Sequence, residues 1–319
     1  MIVVLTGGTG GAKFVDGVRR VLPEDELTII VNTGDDHEWW GLYVSPDLDS
    51  ITYMLAGIIS QERGWGVRRD TFHCLQAMRD FGQPTWFSVG DRDLATHLVR
   101  TELLGKGKTL SQVTEILAER FATRTRILPM SDQRIETRVK TPVGELSFEE
   151  YFVQRRFQDP VTSVRFAGAR EAEPAPGVLE AIGAAQAVLI APSNPVTSIG
   201  PILSVPGIQD ALRHASAPVV AVSPIIGTAA ISGPAGALMA AQGFEVSAAG
   251  VVAAYGSFLD AILVDETDLD AAEIIRANHV EVHATNILMK TGADRVRVAR
   301  AALAAACPET LSASVGEVE

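Results

Sequence analysis

Short apolar runs alternate along this chain with stretches whose apolar residues recur at helical spacing. The first two runs are Ile2–Leu5 and Leu27–Val31, and Ala12–Val21 between them has the spacing of a helix. A strand, a loop, a helix and a second strand within about thirty residues form a βαβ unit. The sequence therefore predicts that the chain starts with parallel strands joined by a helix.

The same alternation continues on both sides of an irregular middle segment. Further helices are predicted at Leu48–Ile59, Thr71–Phe81, Asp91–Leu104, Leu110–Phe121 and Asp294–Ala306, and further strands at Ala187–Ile190, Pro218–Val222 and Ala261–Val264. Two separated groups of strand–helix units predict an α/β fold, Rossmann-like, with a doubly wound and mostly parallel sheet. Ligands of such sheets bind at the carboxyl ends of the strands, so the loops that follow the apolar runs are the candidates for function.

The middle segment has a different pattern. Arg134–Lys140 and Gly144–Phe148 flank a Thr-Pro turn, which is a hairpin signal. We therefore predict a smaller α+β insertion at residues 123–173, between two parts of the core at 1–122 and 174–307. The polar tail at 308–319 is predicted to be mobile.

Charge and composition exclude several classes of protein. The net charge of −12 repels long nucleic acids, whereas backbone amides and a metal ion can still hold a small nucleotide. The longest uncharged stretch, Ala215 to Phe244, is broken by prolines and glycines, so no membrane helix is expected. No signal peptide is recognised, and the two cysteines, Cys74 and Cys307, are read as reduced thiols of a cytoplasmic protein.

The loop after the first strand, Gly7–Lys13, reads Gly-Gly-Thr-Gly-Gly-Ala-Lys. Glycines allow a close backbone approach, and the amides at the start of the next helix suit a phosphate. A dinucleotide fingerprint fits poorly, because Lys13 stands where its third glycine belongs and Asn32 where its acid belongs. The loop therefore indicates phosphate binding, with a plain strand-to-helix turn as the alternative.

Four aspartates, Asp35, Asp36, Asp47 and Asp49, lie in the next two loops. Magnesium takes one or two carboxylates and fills its shell with water and substrate phosphate. Helix capping by Asp47 or by the nearby Ser45 would explain part of this pattern without a metal. Both interpretations remain open at this point.

The helix that starts at Gly90-Asp91-Arg92-Asp93 places Asp93, His97 and Arg100 on one face, which is either functional or simply solvated. Leu128–Asp132 is equally ambiguous between a turn and a functional loop. Two proline-stiffened loops, Ala191–Pro201 and Val222–Gly227, carry small polar groups that could reach a base or a sugar. No pattern of residues suggests a covalent nucleophile.

The motifs described above follow one another along the chain in an order that resembles the 2-phospho-L-lactate transferase family. The resemblance covers Ile2 to about Glu266 and rests on Gly7–Gly10, Ser45–Asp49, Gly90–Asp93 with Ala95–His97, Leu128–Asp132, Pro192–Pro195 with Thr197–Pro201, and Val222–Gly227 with Ser232–Gly236. It implies a Rossmann-like core, a homodimer and dependence on Mg²⁺. It also implies a role in coenzyme F-420 biosynthesis. There the enzyme moves a phospho-acid, lactyl or enolpyruvyl, from a guanosine diphosphate adduct to the ribityl hydroxyl of 7,8-didemethyl-8-hydroxy-5-deazariboflavin and releases GMP.

The resemblance also implies roles for individual residues. Asp49 matches the catalytic aspartate that contacts the deazaflavin and the metal. Asp35 matches a second acid that is catalytic and binds the metal, and Arg92 matches the arginine of the deazaflavin site. The guanine-nucleotide site is implied at Gly7, Gly8, Thr9, Gly10, Lys13, Ser193, Asn194, Pro195 and Ser198. Gly11-Ala12 and Trp39-Trp40 depart from the family's usual residues.

Two other functions are less well supported by the sequence. A regulatory relative that binds nucleotide sugars would carry a glycine-rich Pro-Gly-Asp pattern where Ser45–Asp49 stands, and the triplet Asp47-Leu48-Asp49 favours the transferase. A nicotinamide-dependent oxidoreductase is disfavoured by Lys13 and Asn32, as described above.

Overall fold

The computed structural model describes residues 1–307, so the predicted mobile tail at 308–319 lies outside the described residues. The strands are β1 Ile2–Thr6, β2 Leu27–Val31, β3 His37–Trp39, β4 Leu42–Val44, β5 Arg126–Pro129, β6 Glu136–Thr141, β7 Gly144–Ser147, β8 Ser163–Ala167, β9 Ala187–Ile190, β10 Val219–Val222, β11 Ile225–Ile226, β12 Ala229–Ala230, β13 Ala261–Val264 and β14 Glu281–Ala284. The helices are α1 Gly8–Arg19, α2 Pro46–Leu55, α3 His73–Asp80, α4 Asp91–Gly105, α5 Leu110–Arg120, α6 Val178–Gly183, α7 Gly200–Ser204, α8 Ile208–Arg213, α9 Ala235–Ala241, α10 Ala248–Tyr255, α11 Ala272–Arg276 and α12 Gly292–Ala306.

Seven strands form one central parallel sheet, in the order β14-β13-β10-β9-β1-β2-β5. The chain moves outward from β1 in one direction through β2 and β5, and in the other through β9, β10, β13 and β14. The order therefore reverses between β1 and β9, and ligands of doubly wound sheets bind in the crevice at such a point. The predicted Rossmann-like α/β fold is confirmed.

The sheet is covered on both faces, which explains why its strands read as continuous apolar runs. Alternate residues of β1 enter different apolar clusters: Val3 and Leu5 one of them, Ile2 and Val4 the other. Helices α1 and α12 pack together over the second cluster. Helix α1 begins at Gly8, two residues after β1 ends at Thr6, so its start lies at the carboxyl end of β1.

The predicted helices are present, but some ends differ. Helix α2 stops at Leu55 and not at Ile59, because Gly57 adopts φ +69° and breaks the helical backbone. Two strands of the central sheet were not predicted, and neither were the short hairpin strands β3, β4, β11 and β12. Strand β14 alternates Glu281 and His283 with smaller residues at the sheet edge, and β5 contains Arg126 and Pro129, so neither forms a plain apolar run.

The middle segment forms a separate antiparallel sheet in the order β7-β6-β8. Within the range 123–173, however, β5 pairs in parallel with β2 and belongs to the central sheet. We therefore place the start of the insertion after β5, and its status as a distinct subdomain stays a prediction. Among residues 1–307, no helix has the length and apolar character needed to cross a bilayer.

Candidate active site

The glycine loop forms the beginning of α1 and is tightly packed. Gly8 adopts φ +68°, which favours glycine, and its amide donates a 2.7 Å hydrogen bond to Oδ1 of Asp47. A Cβ added to Gly10 would lie 2.9 Å from the carbonyl oxygen of Pro192, and one added to Gly7 would lie 2.6 Å from Oδ2 of Asp47. Both positions therefore require glycine, and at Gly10 the loop closely approaches the segment that follows β9.

We call the first of two neighbouring clefts the glycine-loop pocket. Its lining includes Gly7, Thr9, Gly10, Lys13, Ser193, Asn194, Thr197 and Ser198. Ser193 Oγ donates a 2.7 Å hydrogen bond to the carbonyl of Gly7, which ties the loop after β9 to the loop after β1. The structure thus brings together most of the residues predicted to bind the nucleotide, at the point where the strand order reverses. Gly8 and Pro195 stand beside this lining and not in it.

We call the second cleft the acidic pocket. It is lined by Asp35, Asp47, Asp49, Asp93, His97 and Glu149, and its apolar walls include Val44, Trp65, Phe87, Phe148 and Phe152. Thr9, Phe148 and Phe152 line both pockets, so the two clefts adjoin at the start of α1. A ligand in one pocket can therefore reach a ligand in the other beside Thr9.

Asp49 and Arg100 form a buried ion pair in the acidic pocket. Arg100 Nη1 donates a 3.0 Å hydrogen bond to Oδ2 of Asp49, and its Nη2 donates to Oδ1. His97 lies between two acids, with Nδ1 3.5 Å from Asp49 Oδ2 and Nε2 3.6 Å from Asp93 Oδ1. The hydroxyl of Tyr53 donates a 2.9 Å bond to Asp93. Both acids are thus fixed in place by buried neighbours.

The face of α4 that carries Asp93, His97 and Arg100 is buried, with exposed fractions of 8%, 2% and 2%. The interpretation of this face as solvated is therefore wrong. Helix α2 places Asp49 opposite it. Capping of α2 does not explain the loop acids: Ser45, at its N-cap position, makes no side-chain capping bond and donates to Asp36, while Asp47 accepts the first amide of α1, that of Gly8.

A second group of acids surrounds Asn32 at the end of β2. The amide of Asn32 donates to Oδ2 of Asp35 at 3.1 Å and to Oδ2 of Asp47 at 2.9 Å. Oδ1 of Asp35 is buried and has no hydrogen-bond partner within the described part of the chain. Glu149 enters the same pocket from the segment after β7. The insertion thus contributes an acid that the sequence did not single out.

Burial dominates the ionisation of this site. It raises the pKa of Glu149 and of Asp36 to about 8 and that of Asp93 to about 7. It also raises the pKa of Asp35, helped by the neighbouring charge of Asp47, and it lowers the pKa of His97 to about 4. So many carboxyl groups in a desolvated cleft favour a bound cation, which would restore their charged forms.

The residues fit a divalent cation. Asp49, Asp93 and His97 each offer a ligand atom within 4.8 Å of the others, and carboxylate oxygens are the ligands that Mg²⁺ prefers. Asp35, the other predicted metal ligand, lies outside that group but lines the same pocket. Joint ligation by Asp35 and Asp49 stays a prediction.

Arg92 is the predicted site residue that the structure places apart. Its side chain is exposed and lines neither pocket, while its amide donates to Asp70. A role in acceptor binding stays a prediction. The sequence does not predict that Arg100 pairs with Asp49, or that Tyr53 and Glu149 line the pocket. The helical spacing that places Arg100 on one face of α4 with Asp93 and His97 is the one signal that pointed to Arg100.

Comparison with protein families matches residues 2–304 to the family described as "2-phospho-L-lactate transferase CofD". The chain belongs to this family. Membership makes it a transferase.

Similar proteins carry two names. The chain is 47% identical over 308 residues to a protein of Streptomyces coelicolor named "Phosphoenolpyruvate transferase", covering 95% of this chain and 97% of the relative. It is 42% identical over 290 residues to a "2-phospho-L-lactate transferase" of Methanococcoides burtonii, covering 91% and 94%. A crystal structure of a UPF0052 family member from Bacillus halodurans has the same fold, with a TM-score of 0.65 at 18% identity, covering 95% and 98%.

Proposed function

We propose that this transferase moves a phospho-enolpyruvyl or phospho-lactyl group from a guanosine diphosphate adduct to the ribityl hydroxyl of 7,8-didemethyl-8-hydroxy-5-deazariboflavin, releasing GMP in coenzyme F-420 biosynthesis. The enolpyruvyl donor is the first to test, because the Streptomyces relatives at 46–47% identity carry the phosphoenolpyruvate name. We also propose Mg²⁺ as the cofactor and a homodimer as the assembly, as the resemblance implies.

The junction of the two pockets at Thr9 carries this proposal. The glycine-loop pocket offers helix amides and Lys13, which suit the phosphates of the donor. The acidic pocket offers apolar aromatic walls for a flat ring and acids for its hydroxyl end. The diphosphate of the donor would then meet the acceptor hydroxyl beside Asp49.

The reaction needs positioning and charge neutralisation more than covalent help. The acceptor oxygen forms a bond to the phosphorus that carries the three-carbon acid, and the bond from that phosphorus to the bridging oxygen breaks, so this oxygen leaves with GMP. The hydroxyl proton passes to water. Mg²⁺ held by the acids of the pocket would supply Lewis-acid stabilisation of the phosphate oxygens. Lys13 and the loop amides hold the donor, and Asp49 ligates the metal or orients the acceptor hydroxyl, with the metal role proposed first.

A fluorescence titration tests the proposal. The purified protein is titrated with the deazaflavin alcohol in the presence of Mg²⁺ and GDP, and again with a chelator. We expect saturable binding of the deazaflavin to the unaltered protein. The binding should weaken when the chelator is added, and it should also be weaker in Asp49→Ala and in Arg92→Ala. If high micromolar deazaflavin does not bind while the nucleotide still does, the proposed acceptor and reaction are wrong, and the regulatory alternative gains support.

A further inference from the structure

A short loop, residues 58–68, borders the acidic pocket; we call it the tryptophan loop. An antiparallel bridge joins Ile59 to Val67, and both side chains are buried. The amide of Ser60 donates to the carbonyl of Gly66 at 2.9 Å, and the amide of Gly64 donates to that of Ser60 at 2.8 Å. These bonds give the loop a fixed shape before any ligand arrives.

Arg63 holds the indole of Trp65 within this loop. Its guanidinium carbon lies 5.2 Å from the centroid of the Trp65 ring and 4.9 Å from that of Phe72. Nη2 of Arg63 also donates a 3.0 Å hydrogen bond to the carbonyl of Val67. A cation over an aromatic face is attracted to it, so the guanidinium between the two rings fixes the orientation of the indole.

The loop passes close to the acids of the site. Trp65 and Gly66 both line the acidic pocket. Gly66 has φ +66°, and a Cβ built on it would lie 3.6 Å from Oδ2 of Asp93. The indole therefore forms part of the pocket wall next to the acid cluster.

We infer that Trp65 determines the specificity for the acceptor by packing its indole against a flat fused-ring system, and that Arg63 is its positioning residue. This inference rests on the proposed function. Offset or edge-to-face contacts between aromatic rings add affinity beyond the area they bury, whereas an aliphatic alcohol gains no such contact. Phe87, Phe148 and Phe152 supply further aromatic walls of the same pocket.

Steady-state kinetics of transfer and the fluorescence of the bound acceptor test the inference. Trp65→Ala is expected to raise the KM for the deazaflavin alcohol about tenfold and to leave the KM for the guanine donor unchanged. Trp65→Phe keeps an aromatic wall and should retain most of the affinity. Arg63→Ala should raise the acceptor KM less than Trp65→Ala does, and Arg63→Lys, which keeps the cation, should restore it.

The fluorescence readout separates stacking from a merely structural role. An indole stacked on the excited ring quenches its emission, so the bound acceptor should be dim in the unaltered protein and brighter in Trp65→Phe. Trp86→Phe is the matched control, because Trp86 packs on Trp39 at 4.7 Å and lines neither pocket. It should leave both the KM and the emission unchanged.

The possible outcomes distinguish this inference from the proposed function. If the unaltered protein transfers the group and Trp65→Ala has an unchanged acceptor KM, the inference is overturned and the function stands. If Trp65→Ala and Trp86→Phe raise the acceptor KM equally, the role of Trp65 in specificity is also overturned. If the unaltered protein neither binds nor uses the deazaflavin, the proposed function fails and the inference fails with it.

Discussion

Arg100 donates hydrogen bonds to both carboxylate oxygens of Asp49, although 51 positions separate the two residues along the chain. Both side chains are buried, so each charge depends on the other for compensation. The pair joins α2 to α4 and holds Asp49 at the wall of the acidic pocket.

Removal of the guanidinium should destabilise the protein strongly. Arg100→Ala leaves the carboxylate of Asp49 buried without its partner, and loss of one member of a buried pair costs about 3–5 kcal/mol. Chemical denaturation measures this loss. Arg92→Ala on the same helix is the control for stability: its side chain is exposed, so a change within about 0.5 kcal/mol is expected. Equal stability of the two variants would contradict the role of the ion pair.

Gly10→Ala should weaken binding of the guanine nucleotide. The added Cβ would lie 2.9 Å from the carbonyl oxygen of Pro192, so the glycine loop or the segment after β9 must shift. Isothermal titration with GDP should show an affinity lower by about tenfold, which corresponds to about 1.4 kcal/mol. Gly105→Ala is the matched control, because nothing lies within 4 Å of the Cβ it adds. Unchanged GDP affinity in Gly10→Ala would show that the loop does not hold the nucleotide.

Glu149→Gln should stabilise the ligand-free protein at alkaline pH. Burial raises the pKa of Glu149 to about 8 from its ordinary value of 4.5. Stability from such a group is complete below its unfolded pKa and is lost as the pH rises through the folded pKa. The variant should therefore match the unaltered protein at pH 4.5 and exceed it at pH 8, by at least about 1–2 kcal/mol. Thermal melts across this range measure the difference, with the exposed Glu119→Gln as control. A difference that does not depend on pH would contradict the shifted pKa.

Mg²⁺ should stabilise the protein more at pH 8 than at pH 6, because burial raises the pKa of Asp93 to about 7 and this carboxyl must lose its proton to bind the ion. At a hundredfold excess over Kd, the gain is about 2.7 kcal/mol. Asp49→Asn should remove most of this gain and Asp35→Asn should reduce it, whereas the exposed Asp80→Asn should not. Melts with Mg²⁺ and with a chelator measure the effect. If Mg²⁺ stabilises Asp35→Asn as much as the unaltered protein, Asp35 is not a ligand of the metal.

Much of the core could be predicted, because its signals are local. The runs at Ile2–Leu5 and Leu27–Val31 and the glycines between them specify two strands, a helix and a tight glycine turn within one short segment. Strand order in such a sheet then brings the loops of β1 and β9 together without further information. The resemblance to the family implies one nucleotide site for Gly7 and Ser193, and the pairing of β1 with β9 brings the two residues into hydrogen-bond contact.

The acidic pocket was harder to predict, because its contacts are tertiary. No residue pattern near Asp49 predicts its ion pair with Arg100, and none near Asp93 predicts its hydrogen bond with Tyr53. Glu149 looks like an ordinary acid after a hairpin, and only the placement of the insertion over the sheet brings it to the pocket. Trp65 lies in a loop whose shape depends on an irregular bridge between Ile59 and Val67. The spacing of residues along the chain therefore predicts none of these tertiary contacts.

The most direct test of the central claim is a transfer assay that compares the unaltered protein with Asp49→Asn. Each is incubated with Mg²⁺, the deazaflavin alcohol and the enolpyruvyl adduct of guanosine diphosphate, and GMP and the phosphodiester product are quantified by mass spectrometry. The account predicts equal amounts of GMP and product from the unaltered protein, and a rate lower by about 100-fold or more in Asp49→Asn, which corresponds to at least about 2.7 kcal/mol of transition-state stabilisation. Near-normal turnover in Asp49→Asn would contradict the catalytic role of Asp49. Absence of product from the unaltered protein with both the enolpyruvyl and the lactyl donor would contradict the proposed function.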